Sequence, residues 1–166
     1  LWRPELIVAP FLKRRIPEAI WRRHRCIVLH PGIEGDRGPS ALDWAILDGE
    51  PTWGVTALEA NGEMDAGDIW ASADFPMREA TKSSLYRNEV TEAAVQAVRL
   101  TLQRQAAGEQ PQSQTALPAS GRGHARPLMR QTDRAIDWAC DDTLTILRKL
   151  HAADGVWFSS SLRGLV

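Results

Sequence analysis

The stretch VLHPGIEGDRGPS, Val28 to Ser40, opens as an apolar run and then breaks into glycines, prolines and charges around one histidine, His30. Cys26-Ile27-Val28-Leu29 predicts a strand buried on both faces, and Pro39-Ser40-Ala41 predicts the start of a helix. Gly32, Gly35 and Gly38 invite comparison with a phosphate cradle, but their spacing is neither G-x-G-x-x-G nor a Walker loop with its Lys and Ser/Thr. What they supply is turn chemistry, because glycine permits positive φ and close backbone approach. His30 is thereby set at the C-terminal end of a strand, where open α/β sheets bind their ligands.

Working outward, Leu6-Ile7-Val8-Ala9 predicts another strand buried on both faces, ended by Pro10. A short helix follows with Pro17 in its first turn and Ile16, Ile20 and Trp21 on one face. The helix after Pro39 carries Ala41, Leu42, Ala45 and Ile46 inward and stops at Asp48-Gly49. Trp53 to Leu58 and Asp68 to Ala71 read as two more strands, separated by a turn around Gly62 and Gly67. The longest helix runs from about Lys82 to Ala107, with Leu85, Val90, Ala94, Ala97, Val98 and Leu102 near one face. Strands alternating with helices argue α/β with a largely parallel sheet. Gly108 to Arg126 shifts to Gln, Pro, Ser and Gly and reads as a linker or surface loop, after which Asp141-Asp142-Thr143 caps a last helix through Ile146, Leu147 and Leu150. Val156 to Leu162 shows no clear period.

With 166 residues, 43% apolar and 25% charged, the chain has room for a sizeable core and is too short for two full domains. Its 20 Lys and Arg against 21 Asp and Glu leave a net charge of −1, so no global field draws it to nucleic acid or a membrane surface. No run approaches the roughly 20 apolar residues that cross a bilayer. Leu1-Trp2-Arg3-Pro4 lacks the pattern of a signal peptide, and Cys26 and Cys140, without short-spaced partners, fit buried thiols in the cytoplasm. The chain lacks an initiator Met and opens almost directly onto a strand, which reads as a piece of something longer.

The second polar cluster is Glu63-Met64-Asp65-Ala66-Gly67-Asp68. If the strands are parallel neighbours, Asp65 and His30 emerge at the same sheet edge. An Asp accepting from one imidazole nitrogen then orients the ring and leaves the other nitrogen for proton transfer. The plainer alternatives stand beside this one: His30 as a hydrogen-bonded loop residue, and Asp65 and Asp68 as ordinary turn residues. His24, His30, Asp36 and Asp65 make no known metal-ligand spacing, so no metal is expected. Lys13-Arg14-Arg15, with Arg22, Arg23 and Arg25, reads as a solvated helix face in preference to an anion site.

His30-Pro31-Gly32, Arg37-Gly38-Pro39, Trp44-Ala45-Ile46, Gly54-Val55-Thr56 and Met64-Asp65-Ala66-Gly67-Asp68-Ile69 occur in the order and approximate spacing of the folate-dependent formyltransferases, which the chain resembles. The full wording from His30 to Ser40, with Lys82-Ser83-Ser84-Leu85-Tyr86-Arg87-Asn88-Glu89 and Pro127-Leu128-Met129-Arg130-Gln131, is similar to one branch, the HypX/HoxX hydrogenase maturation factors. The resemblance covers about residues 4 to 155.

It implies a Rossmann-like fold with a mainly parallel sheet, whose first strands precede the equivalent of Leu6 and are absent here. The implied organisation is a catalytic domain over 1–107, a linker over 108–126, the start of a C-terminal helical subdomain over 127–155 and a divergent tail over 156–166. His30 and Asp65 match the catalytic pair, while Pro10, Phe11 and Leu12, with Gly62, Glu63 and Met64, match segments that line the pterin pocket.

The implied chemistry is formyl transfer from N10-formyltetrahydrofolate in supplying the CO ligand of [NiFe]-hydrogenase. Coenzyme A is a possible acceptor in the full-length family, and the rest of a HypX-type chain or hydrogenase maturation proteins are the implied partners. A methionyl-tRNA or small-acceptor formyltransferase, and a non-catalytic folate- or partner-binding remnant, are the alternatives. One position departs from the pattern: the superfamily carries an Asn donor two residues before the catalytic His, where this chain has Val28.

Overall fold

A computed structural model describes residues 3–117 and 121–153. The tail 156–166, and with it the aperiodic Val156 to Leu162, lies outside the described residues. Four strands, β1 (Leu6–Pro10), β2 (Arg25–His30), β3 (Thr52–Glu59) and β4 (Ile69–Pro76), form one sheet in the order β1-β2-β3-β4. Between and after them come α1 (Glu18–Trp21), α2 (Ala41–Asp48), α3 (Lys82–Leu85), α4 (Thr91–Ala106) and α5 (Thr143–Ala153).

The α/β class stands, but the expected mainly parallel sheet is mixed. Only β1 and β2 run parallel; β3 is antiparallel to both of its neighbours. The reason lies in where α2 delivers the chain. His30 pairs with Thr56, so β3 begins beyond the C-terminal end of β2 and runs back down beside it. An eight-residue helix rises only about 12 Å, which returns the chain to the top of the sheet without the full crossover a parallel neighbour requires. β4 then follows β3 through the loop 60–68 without a helical crossover, as antiparallel pairs allow.

Two further expectations change. β1 is an edge strand of the described sheet with only Ala9 buried and Val8 39% exposed, so its apolar run does not mark burial on both faces. Cys140 is exposed, whereas Cys26 is buried as expected.

The core lies between the sheet and α2, α3 and α4, and holds Trp53, Val55, Ala57, Trp70, Leu42, Ala45, Leu85 and Val90. α2 stops as expected, with Gly49 in the left-handed conformation at its end. α3 and α4 are one continuous rod interrupted by a π turn over Tyr86–Val90. Thr91 donates its hydroxyl to the Tyr86 carbonyl and Asn88 its amide to that of Ser84, serving acceptors that the turn displaces. The extra residue lets Leu85 and Val90, five apart, both face inward; beyond it Ala93, Ala94, Ala97 and Thr101 are buried, and Leu102, expected on the buried face, lies at its margin and is exposed. Asp142 caps α5 by accepting from the Thr145 amide.

The segment 108–126 does more than link. Gln112 bridges to Ile69 through paired backbone hydrogen bonds, Gln114 is buried, and Ala125 bridges to Arg37. Its composition is that of a linker because it builds no core of its own. Its polar groups are spent instead on the loops that follow β2 and β3.

Candidate functional site

His30 ends β2, and its side chain is 3% exposed. β3 anchors the residues after it: Trp53 donates its indole N–H to the Pro31 carbonyl and Thr56 its hydroxyl to that of Gly32. The chain then doubles back, and the imidazole is enclosed by two carboxylates. Nδ1 stands 3.5 Å from Asp65 Oδ2, and Nε2 stands 3.1 Å from Asp36 Oδ1.

Asp65 reaches His30 by a route other than the one expected. β2 and β3 are antiparallel, and the loop after β3 folds back over the end of β2. Asp65 sits there with φ of 56°, a left-handed conformation that short polar side chains tolerate. Its Oδ2 accepts from the Gly38 amide at 3.2 Å, and its own carbonyl is held by the side chain of Gln114. The turn conformation and the contact with His30 therefore coexist in one residue.

Beside this pair opens a cleft lined by Leu12, Ile16, Val28, Leu58, Met64 and Asp65, with Arg14, Arg15 and Glu63 around it. Of the residues expected at a pterin pocket, Leu12, Glu63 and Met64 line it. Pro10, Phe11 and Gly62 flank it instead. Phe11, with φ of 53°, turns its ring edge-on to Tyr86 at 5.5 Å, and the Gly62 carbonyl accepts from Arg15. The basic run at Lys13 to Arg15 lies in an exposed loop, not on a helix face, and two of its members border the cleft. Val28 presents only methyl groups to the cavity.

Three groups at the site escaped the sequence reading. Asp36, fully buried, stands in the sequence only as a candidate metal ligand. Arg126 is 9% exposed and pairs with Asp36 and Asp48, and Gln114 ties the Asp65 loop; both lay in a segment of linker composition. Among the described residues no group of three or more His, Cys, Asp or Glu is placed to hold a metal ion. Nor is any described helix long and apolar enough to cross a membrane.

Residues 1–102 match the model described as formyl transferase, and the chain belongs to that family. A hydrogenase maturation factor, HoxX of Bradyrhizobium diazoefficiens, is 54% identical over 157 residues, covering 94% of this chain and 27% of that protein. The crystal structure of HypX from Aquifex aeolicus in complex with tetrahydrofolic acid superposes with a TM-score of 0.82 at 49% identity, covering 93% of this chain and 26% of that one. Methionyl-tRNA formyltransferase of Citrifermentans bemidjiense is 28% identical over 143 residues, 83% of this chain and 43% of the enzyme. The chain thus spans about a quarter of the length of HoxX and HypX.

Proposed function

We propose that this chain binds N10-formyltetrahydrofolate in the cleft beside Asp65 and transfers its formyl group, serving [NiFe]-hydrogenase maturation as part of a protein of the HypX/HoxX kind. The observation that carries the reading is the His30–Asp65 contact at 3.5 Å on the wall of that cleft. The identity to HoxX and to a HypX bound to tetrahydrofolic acid supports the choice of ligand and of pathway.

The cleft suits a folate. Leu12, Ile16, Val28, Leu58 and Met64 offer apolar contact to a flat ring, and Arg14 and Arg15 offer charge to an anionic tail. When bound, the donor supplies a formyl carbon on N10, and negative charge collects on its oxygen as a nucleophile adds. His30 moves the proton and, when charged, stabilises that oxygen; Asp65, 3.5 Å from Nδ1, stabilises the ring in its charged form. Val28 contributes no donor, which favours a second reading in which the chain binds folate without turning it over.

Turnover separates the two. The chain is mixed with 10-formyltetrahydrofolate, alone and with coenzyme A or methionyl-tRNA, and release of tetrahydrofolate is followed. His30→Ala and Asp65→Asn are expected to lower the rate about 100-fold or more while folate still binds. Wild-type turnover no faster than in these variants would discard the enzymatic reading, and absence of folate binding would discard both.

A further inference from the structure

Resting on the reading of His30 as the acid–base group, we propose that Asp36 is a positioning residue that selects the working nitrogen: it accepts a hydrogen bond from Nε2–H and leaves Nδ1, unprotonated, to face Asp65 and the cleft. The two carboxylates around the ring are not equivalent. The Asp65 side chain is 10% exposed and lines the cleft, whereas that of Asp36 is 0% exposed. Asp36 is sealed from any substrate and acts through His30.

The distance of 3.1 Å between Nε2 and Oδ1 assigns the proton. An ionised carboxylate only accepts, and an unprotonated ring nitrogen also only accepts, so this buried contact is a hydrogen bond when Nε2 carries the hydrogen.

Gly32 is shaped to this contact. It is absent from the glycines with positive φ, so its backbone would accept another residue. A Cβ there, however, would lie 2.4 Å from His30 Nε2 and 2.8 Å from Asp36 Oδ1. The side chain is missing where the ring and the carboxylate meet.

Arg126 closes the far side. Its Nε faces Asp36 Oδ2 at 3.6 Å while its Nη1 donates to Asp48. Asp36 Oδ2 and Arg126 Nε are both buried without a hydrogen-bond partner, and each gives the other its opposite charge. The carboxylate is thus held from behind by a cation and presents its other oxygen to the imidazole.

The test is the tautomer of His30, read from imidazole 15N shifts in the labelled full chain and assigned against His30→Ala, together with the pH profile of formyl-donor turnover. The expected spectrum shows a protonated Nε2. Asp36→Asn and Gly32→Ala are expected to shift the tautomer and to lower kcat about 100-fold, with KM for the formyl donor nearly unchanged, because the ring is then held for the wrong proton. An unprotonated Nε2 in the wild type would overturn the proposal, as would variants whose tautomer and pH profile match the wild type. Should both variants fail to fold, the wild-type spectrum alone decides. Should the chain show no turnover, the enzymatic reading fails and the spectrum still decides the role of Asp36.

Discussion

Gln114 grips Asp65 by its backbone: one amide hydrogen goes to the Asp65 carbonyl at 2.9 Å and the other to that of Gly67 at 2.8 Å. The Gln114 oxygen also accepts from Arg37 Nε at 3.3 Å, so both ends of this 8% exposed side chain are used. Gln114→Ala leaves partly buried carbonyls unpaired and is expected to cost about 1–3 kcal/mol. Gln114→Glu is expected to cost at least as much, because it sets a carboxylate oxygen against two carbonyl oxygens. Urea unfolding of the two variants checks the order, and a fall in formyl-donor turnover at unchanged folding would show Asp65 loosened.

Two glycines of that same loop should behave oppositely. A Cβ at Gly67 would lie 1.6 Å from the Glu59 carbonyl oxygen, a backbone atom that cannot step aside, whereas a Cβ at Gly62 meets nothing within 4 Å. Gly67→Ala is expected to destabilise by about 3 kcal/mol or more, and Gly62→Ala to stay within about 0.5 kcal/mol. Equal urea midpoints for the pair would contradict the packing of this loop against β3.

The chain has a single tyrosine, and burial, with the negative charge of Asp43 adding to it, pushes the Tyr86 hydroxyl up to about 12. An unfolded tyrosine ionises near 10, so the folded state holds this proton more tightly than the unfolded state does. The resulting stability is fully present below about pH 10 and is lost as pH rises from there through about 12, a loss of about 2 kcal/mol. Absorbance titration at alkaline pH isolates the group, and Tyr86→Phe is expected to flatten stability between pH 10 and 12. A phenol ionising near 10 in the folded chain would refute the assignment.

Val28 lines the cleft, at the position where the resemblance to formyltransferases implies an amide donor. Val28→Asn restores a side-chain donor at similar volume, and is expected to raise the rate of formyl transfer by about 10-fold with folate affinity nearly unchanged. A rate that stays flat would show that oxygen charge is met elsewhere in the site.

How much of this was legible in the sequence depends on how local each cause is. The elements stood out because apolar periods and punctuation such as Asp48-Gly49 and Asp142-Thr143 act within a few residues. Strand direction did not, since α2 looks the same whether it returns the chain to the bottom of the sheet or only to its top. The π turn at Tyr86–Val90 puts Leu85 and Val90 on one face at a spacing of five, and no helical period foresees an inserted residue. His30 and Asp65 stood out as polar residues in turns. Asp36 did not, because the feature that admits it to the ring is an absence, the missing side chain of Gly32. Gln114 and Arg126 lay hidden in a stretch whose composition is that of a tether, while their partners are 47 residues and more away along the chain.

The placement of those last two residues bears on how the site comes into being. The stretch that carries family membership ends at residue 102 and already contains His30, Asp36 and Asp65. The groups that steady them, Gln114 and Arg126, are synthesised afterwards. A nascent chain therefore possesses His30, Asp36 and Asp65 before it possesses their restraints, and the arrangement of these three waits on the strap that follows the helical rod.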